Sequence, residues 1–235
     1  MRATINRLAS IRRLGYGLML GCAVVVGAAN GSRATDAKPH AFEMNIQRFE
    51  ARDREMPPPE NPILFVGSSS IRLWDVGKSF PGLNVINRGF GGSKIADSVY
   101  FAERIVINYK PKAIVFFAGD NDLASGKSPE EVAADFRKFV VKIHAMLPAT
   151  PIVLISINPS VARWKLIDKQ REANRLIADF MKPDSRLKFI DVRPSMLDSD
   201  GKPRAELFIA DGMHMNAKGY ELWAAQIAPI LNKVK

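Results

Sequence analysis

The chain has 235 residues, 47% hydrophobic and 25% charged, with a formal net charge of +10. That composition suits one sizeable globular domain and excludes a disordered or low-complexity chain. The basic residues form no run of five or six, so the charge reads as a solvated basic surface and no nucleic-acid partner is expected.

The N-terminus is set apart from that domain. Arg2, Arg7, Arg12 and Arg13 precede Leu14 to Ala29, which is apolar and uncharged, and Gly27-Ala28-Ala29 offers small residues for cleavage. Residues 1–29 therefore read as a secretory signal peptide, with cleavage after Ala34 as another option. The expected location is exported, either periplasmic or secreted. An uncleaved anchor is the alternative, and only that segment would then touch a membrane, although about 16 residues is short for a span. Cys22 is the only cysteine and sits in Met19-Leu20-Gly21-Cys22, which faintly resembles a lipoprotein processing site. Cleavage after Ala29 leaves a chain with no disulfide, no cysteine nucleophile and no thiolate metal site. It also leaves about +6 of the charge, since residues 1–29 carry four arginines and no acid.

Residues 30–60 are expected to form a lead-in. Residues 30–40 are polar, residues 41–54 place Phe42, Ile46 and Phe49 at helical spacing, and Pro57-Pro58-Pro59 makes a stiff connector. Residues 61–235 are expected to form the main folded domain. Strands are predicted at Ile63 to Val66, Val85-Ile86, Ala113 to Ala118, Ile152 to Ile157 and Leu187 to Val192. Apolar runs without alternation suit parallel strands covered on both faces. Helices are predicted over 94–107, 129–147, 163–181 and 217–233, the second announced by Ser128-Pro129-Glu130-Glu131. The β-α-β-α order predicts a three-layer α/β/α, flavodoxin-like, doubly wound sheet of five mainly parallel strands.

Chemistry gathers in four segments, three of them directly after predicted strands. Gly67-Ser68-Ser69-Ser70-Ile71 offers a serine at a strand-to-helix turn, or else a phosphate-binding or capping turn. Ile71 stands where an α/β-hydrolase elbow needs Gly, which disfavours that fold. Gly91-Gly92 offers a backbone N–H near a ligand, or an ordinary tight turn. In Gly119-Asp120-Asn121-Asp122 the Asn amide is a competent oxyanion donor. The rival reading, a metal held by Asp120 and Asp122, has too few ligands. Asp211-Gly212-Met213-His214 is the most specific piece. A serine needs a base to take its proton, and a carboxylate must fix the base's tautomer. Of three histidines, His40 lies in the lead-in and His144 lies beside the apolar stripe of a long helix, so His214 is either the base or an ordinary surface-loop histidine. Arg163 and Trp164 either line the pocket or pack at a helix start.

The ordered set Ser, Gly, Asn, His resembles the SGNH, or GDSL-type, esterases and acylhydrolases over residues 61 to about 231. The resemblance implies Ser69 as nucleophile, Gly92 and Asn121 as oxyanion donors beside the Ser69 N–H, and Asp211 and His214 as the acid and base. One departure is Ser68, where the family's first block usually has Asp. The implied function is an exported serine esterase acting through an acyl-enzyme on a small ester, an acylated glycan or a lipid, with no cofactor and no metal. The competing class is a non-catalytic envelope protein that binds glycans through the same cleft.

Overall fold

A computed structural model describes residues 40–234. The signal-peptide reading and most of the polar lead-in fall outside those residues. Among them, no helix is long and apolar enough to cross a membrane.

Helix α1 spans Glu43–Glu55. Ile46 is fully buried, and Phe42 and Phe49 pack on the same core, so the helical spacing of the three does put them on one face. The helix is also held by charge. Arg104 grips Glu43 and Glu50, and the buried Arg88 pairs with Asp53.

Strand β1, Ile63–Gly67, is followed by the short helices α2, Ser69–Arg72, and α3, Val76–Ser79. Strand β2 is Val85–Gly89. Its apolar run looks short in sequence because Asn87 and Arg88 continue it with side chains that have partners elsewhere. Asn87 Nδ2 donates to the carbonyls of Ile71 and Trp74, and Arg88 reaches Asp53. The helix predicted over 94–107 breaks in two, α4 at Ile95–Tyr100 and α5 at Ala102–Ile105. The break falls at Phe101, which is buried against Phe90 and Tyr100.

Strand β3 is Ala113–Phe117, followed by α6, Asp120–Ala124, and the long α7, Pro129–Met146. Ser128 starts α7 as the sequence suggests. Its hydroxyl accepts from Glu131 N, and Glu131 Oε2 accepts from Ser128 N. Strand β4, Ile152–Ile155, stops two residues early. The next helix, α8 at Ile167–Met181, begins later than predicted because Trp164–Leu166 is a 3₁₀ turn. Strand β5 is Leu187–Ile190, α9 is Arg193–Met196 and α10 is Ala217–Leu231.

The five strands are all parallel in the order β2-β1-β3-β4-β5. Leu64, Val66, Ile114, Phe116, Ile152 and Leu154 point to the core under α1, α4, α5, α7 and α8. The alternate residues Phe65, Val115, Phe117, Val153 and Ile155 point to the core under α2, α3, α9 and α10. Each large apolar side chain buried this way contributes about 1.5–3 kcal/mol, so a slip of one residue is strongly disfavoured. The expected doubly wound α/β/α sheet is the observed one.

This topology positions the site. The chain leaves β1 for β2 on one side, then crosses back to β3 on the other. Loops leaving β1 and β3 therefore diverge, and a crevice opens at the carboxyl ends of those two strands. Gly67 lets them close there. It pairs in register with Gly89 and Phe117, at φ +143°, and an added Cβ would lie 1.8 Å from the Phe117 carbonyl oxygen.

Candidate active site

The turn after β1 separates three adjacent serines. Ser68 is fully buried, and its Oγ has no hydrogen-bond partner among the described residues. Ser70 is buried too, and its carbonyl accepts from the Tyr220 hydroxyl at 2.8 Å. Ser69 opens α2 and directs its Oγ to His214 Nε2 at 2.9 Å.

His214 is held by its own loop. An antiparallel bridge joins Phe208 to Met215, and Ile209 N donates to the His214 carbonyl at 2.9 Å. Asp211 Oδ1 accepts from the backbone N–H groups of Met213 and His214, each at 2.9 Å. That leaves Asp211 Oδ2 against His214 Nδ1 at 2.6 Å. The hydrogen bond from His214 lowers the Asp211 pKa to about 2, with the two N–H groups helping and burial opposing. A carboxylate on Nδ1 keeps that nitrogen protonated and turns Nε2 toward Ser69 as an acceptor.

Three candidate donors belong to residues that line the same cleft as the Ser69 hydroxyl. The N–H groups of Ser69 and Gly92 donate to no acceptor among the described residues. Gly92 holds φ +82°, a conformation that other residues adopt only under strain. The Asn121 amide is fixed from both ends. Its Nδ2 donates to the Ser93 carbonyl at 3.0 Å, and its Oδ1 accepts from Arg163 Nη2 at 2.8 Å. The second amide proton remains for a ligand.

The two aspartates that flank Asn121 are already held by cations. Asp120 pairs with Arg163, and Asp122 accepts from Lys127 Nζ at 2.9 Å and from Ile95 N at 3.2 Å. Burial raises both carboxyl pKa values, with Arg163 and Lys127 pulling the other way. No group of three or more potential metal ligands occurs among the described residues.

Ser69, Gly92, Asn121 and His214 line one cleft of about 570 Å³. Arg163, a pocket candidate in the sequence, lies in its wall. Trp164 is not part of the lining and faces Lys202, whose Nζ lies 5.1 Å from its ring. Arg48 and Arg72 also line the cleft, and sequence reasoning passed over both. Arg72 ends the helix that Ser69 begins, which is a local signal. Arg48 sits on α1, and nothing in its neighbourhood marks it. A larger cavity of about 660 Å³, between α1 and Tyr109, includes Glu50, Asp53 and Arg104 in its lining but no nucleophile–base pair. The arrangement around Ser69 is suited to acyl transfer: a hydroxyl, a base within hydrogen-bond reach, an acid that orients the base, and N–H donors in the same cleft.

Comparison with known proteins gives the family. The model of the GDSL-like Lipase/Acylhydrolase family matches residues 72–222, starting three residues after Ser69. The chain is 24% identical over 182 residues to the human platelet-activating factor acetylhydrolase IB subunit alpha1, covering 74% of this chain and 75% of that one. A GDSL-like lipase from Bacteroides thetaiotaomicron superposes with a TM-score of 0.69 at 20% identity, covering 81% of this chain and 98% of that one. An acetylxylan esterase from Geobacillus stearothermophilus superposes with a TM-score of 0.60 at 15% identity, covering 74% and 94%. At these identities the structural neighbours speak for the fold alone.

Proposed function

The chain belongs to the GDSL-like lipase/acylhydrolase family and is a GDSL-type ester hydrolase, and we propose that it is exported and works through an acyl-enzyme on Ser69. The observation that carries the reading is the 2.9 Å contact between Ser69 Oγ and His214 Nε2, with Asp211 on the far side of the ring.

In this reading Ser69 Oγ attacks the ester carbonyl while His214 takes its proton. Asp211 keeps the imidazole in the productive tautomer and stabilises its charge. The N–H groups of Ser69 and Gly92 and the Asn121 amide receive the negative charge that develops on the carbonyl oxygen. His214 then protonates the departing alcohol. In the second half-reaction His214 draws a proton from water, which attacks the acyl group, and His214 returns that proton to Ser69 Oγ as the acyl bond breaks. Arg163 acts through Asn121: by holding the amide oxygen it keeps the nitrogen turned to the site.

The basic-then-apolar segment before Asn30 supports export, and N-terminal sequencing of the processed protein tests it. An intact Met1 in a cytoplasmic pool would overturn it. The substrate class remains a small ester, an acylated glycan or a lipid. Hydrolysis of a p-nitrophenyl series from acetate to laurate tests the reaction and ranks acyl length. Ser69→Ala is expected to lose fluorophosphonate labelling and nearly all turnover. If the native protein cleaves none of the series and Ser69 resists the label, a glycan-binding role for the same cleft replaces the esterase.

A further inference from the structure

The charge of the cleft is one-sided. None of the residues that line it is acidic, and three are arginines: Arg48, Arg72 and Arg163. The three are not equivalent. Arg163 is neutralised by Asp120 and committed to Asn121. Arg48 and Arg72 have no acidic partner among the described residues, and both are exposed to solvent.

Their placement is fixed by the fold. Arg72 lies three residues beyond Ser69 on α2, on the same face of the helix. Its guanidinium rests over the Gly91 backbone, where an added Cβ would come within 2.9 Å of Nε. Arg72 thus spans from the nucleophile's turn to the glycine turn. Arg48 enters from α1, which is anchored by the fully buried Ile46 and by the Arg104 and Arg88 ion pairs. This helix precedes the family match, so Arg48 is contributed by a segment outside it.

A solvated basic surface accounts for scattered cations. It does not account for two arginines, from separate anchored elements, that meet in one cleft without a carboxylate. A guanidinium presents a planar fork of donors that fits carboxylate or phosphate oxygens two at a time. We propose that the ester cleaved at Ser69 carries a carboxylate or phosphate, and that Arg48 and Arg72 grip this anion while the ester carbonyl lies at the nucleophile. The inference rests on the esterase reading above.

Three acetates of matched size test it: phenyl acetate, 3-acetoxybenzoate and 3-acetoxyphenyl phosphate. For each, kcat/KM is divided by the ester's own hydroxide-catalysed rate, which removes differences in leaving group. The native protein is expected to favour at least one anionic ester over the neutral one by about tenfold at low ionic strength. The ratio should collapse near 1 M salt, where the screening length is about 3 Å. The phosphate and carboxylate arms tell which anion is preferred. In the Arg48→Gln, Arg72→Gln double variant the anionic-to-neutral ratio should fall toward one, whatever happens to absolute rates. A ratio near one in the native protein, or a high ratio that survives the double variant, overturns the inference and leaves the esterase standing. Failure to cleave all three esters, together with failure of Ser69 to take a fluorophosphonate, removes the esterase reading and this inference with it.

Discussion

At the scale of single residues, Asn121 separates two kinds of support for the reaction. In the mechanism proposed above it moves no proton, and its free amide hydrogen serves only charge that appears in the transition state. Loss of one such donor costs roughly 10²–10³ in kcat. Asn121→Ala is therefore expected to lower kcat by about that factor with KM little changed, as steady-state kinetics will show. Arg163→Lys probes the same amide indirectly. A lysine retains charge for Asp120 but cannot reach Asn121 with a second donor in the same plane. It should fold like the native protein and lower kcat in the same direction, by less than Asn121→Ala. A purely structural Arg163 would leave kcat unmoved. Asp211 sets the pH behaviour. Its folded pKa of about 2 lies below the ordinary 3.8, so its stabilising contribution is complete above 3.8 and is lost as the pH falls toward 2. It stays ionised through the weakly acidic range. No ionisation of Asp211 should then appear between about pH 4 and neutrality, and an Asp211 carboxyl signal that titrates in that range would contradict this.

At the scale of elements, the β1 terminus carries the tightest constraint. Gly67 has the Phe117 carbonyl where a side chain would begin, at a φ that disfavours any other residue. Gly67→Ala must push β1 off β3 and is expected to cost about 3 kcal/mol or more, measured by denaturant unfolding. The strands were legible in the sequence wherever both faces are buried, because Ile63–Val66 and Ala113–Phe117 are then continuous apolar runs. Strand β2 was half legible, since Asn87 and Arg88 satisfy their polar groups through partners that only the tertiary structure brings near. The break at Phe101 had no Gly or Pro to announce it. For the candidate site, Ser69, Gly92, Asn121 and His214 stood out in sequence because they lie in short Gly- and polar-rich segments, three of them soon after strands, although Ser69 and Asn121 fall in short helices. Arg48 could not, because an arginine on an amphipathic helix looks the same whether it faces solvent or a cleft.

At the scale of the whole molecule, α1 joins the domain as one more packed layer. Asp53 holds the buried Arg88 through both oxygens, at 2.5 and 2.7 Å, and Tyr109 donates to the same carboxylate. Asp53→Ala strands a buried guanidinium, which typically costs about 3–5 kcal/mol. In a domain of this size the melting temperature should drop by roughly 6–20 °C. A drop of a degree or less would mean that α1 is only loosely attached. The catalytic contact has a different whole-molecule consequence. The hydrogen bond between Ser69 and His214 joins positions 145 residues apart in sequence. During synthesis the nucleophile emerges long before the base exists. Under the proposed mechanism the serine has no base to activate it until the loop that holds His214 is in place, so a chain truncated before that position carries a plain alcohol. Reactivity of the serine is in this sense a product of folding, which brings two distant segments together, and not of either segment alone.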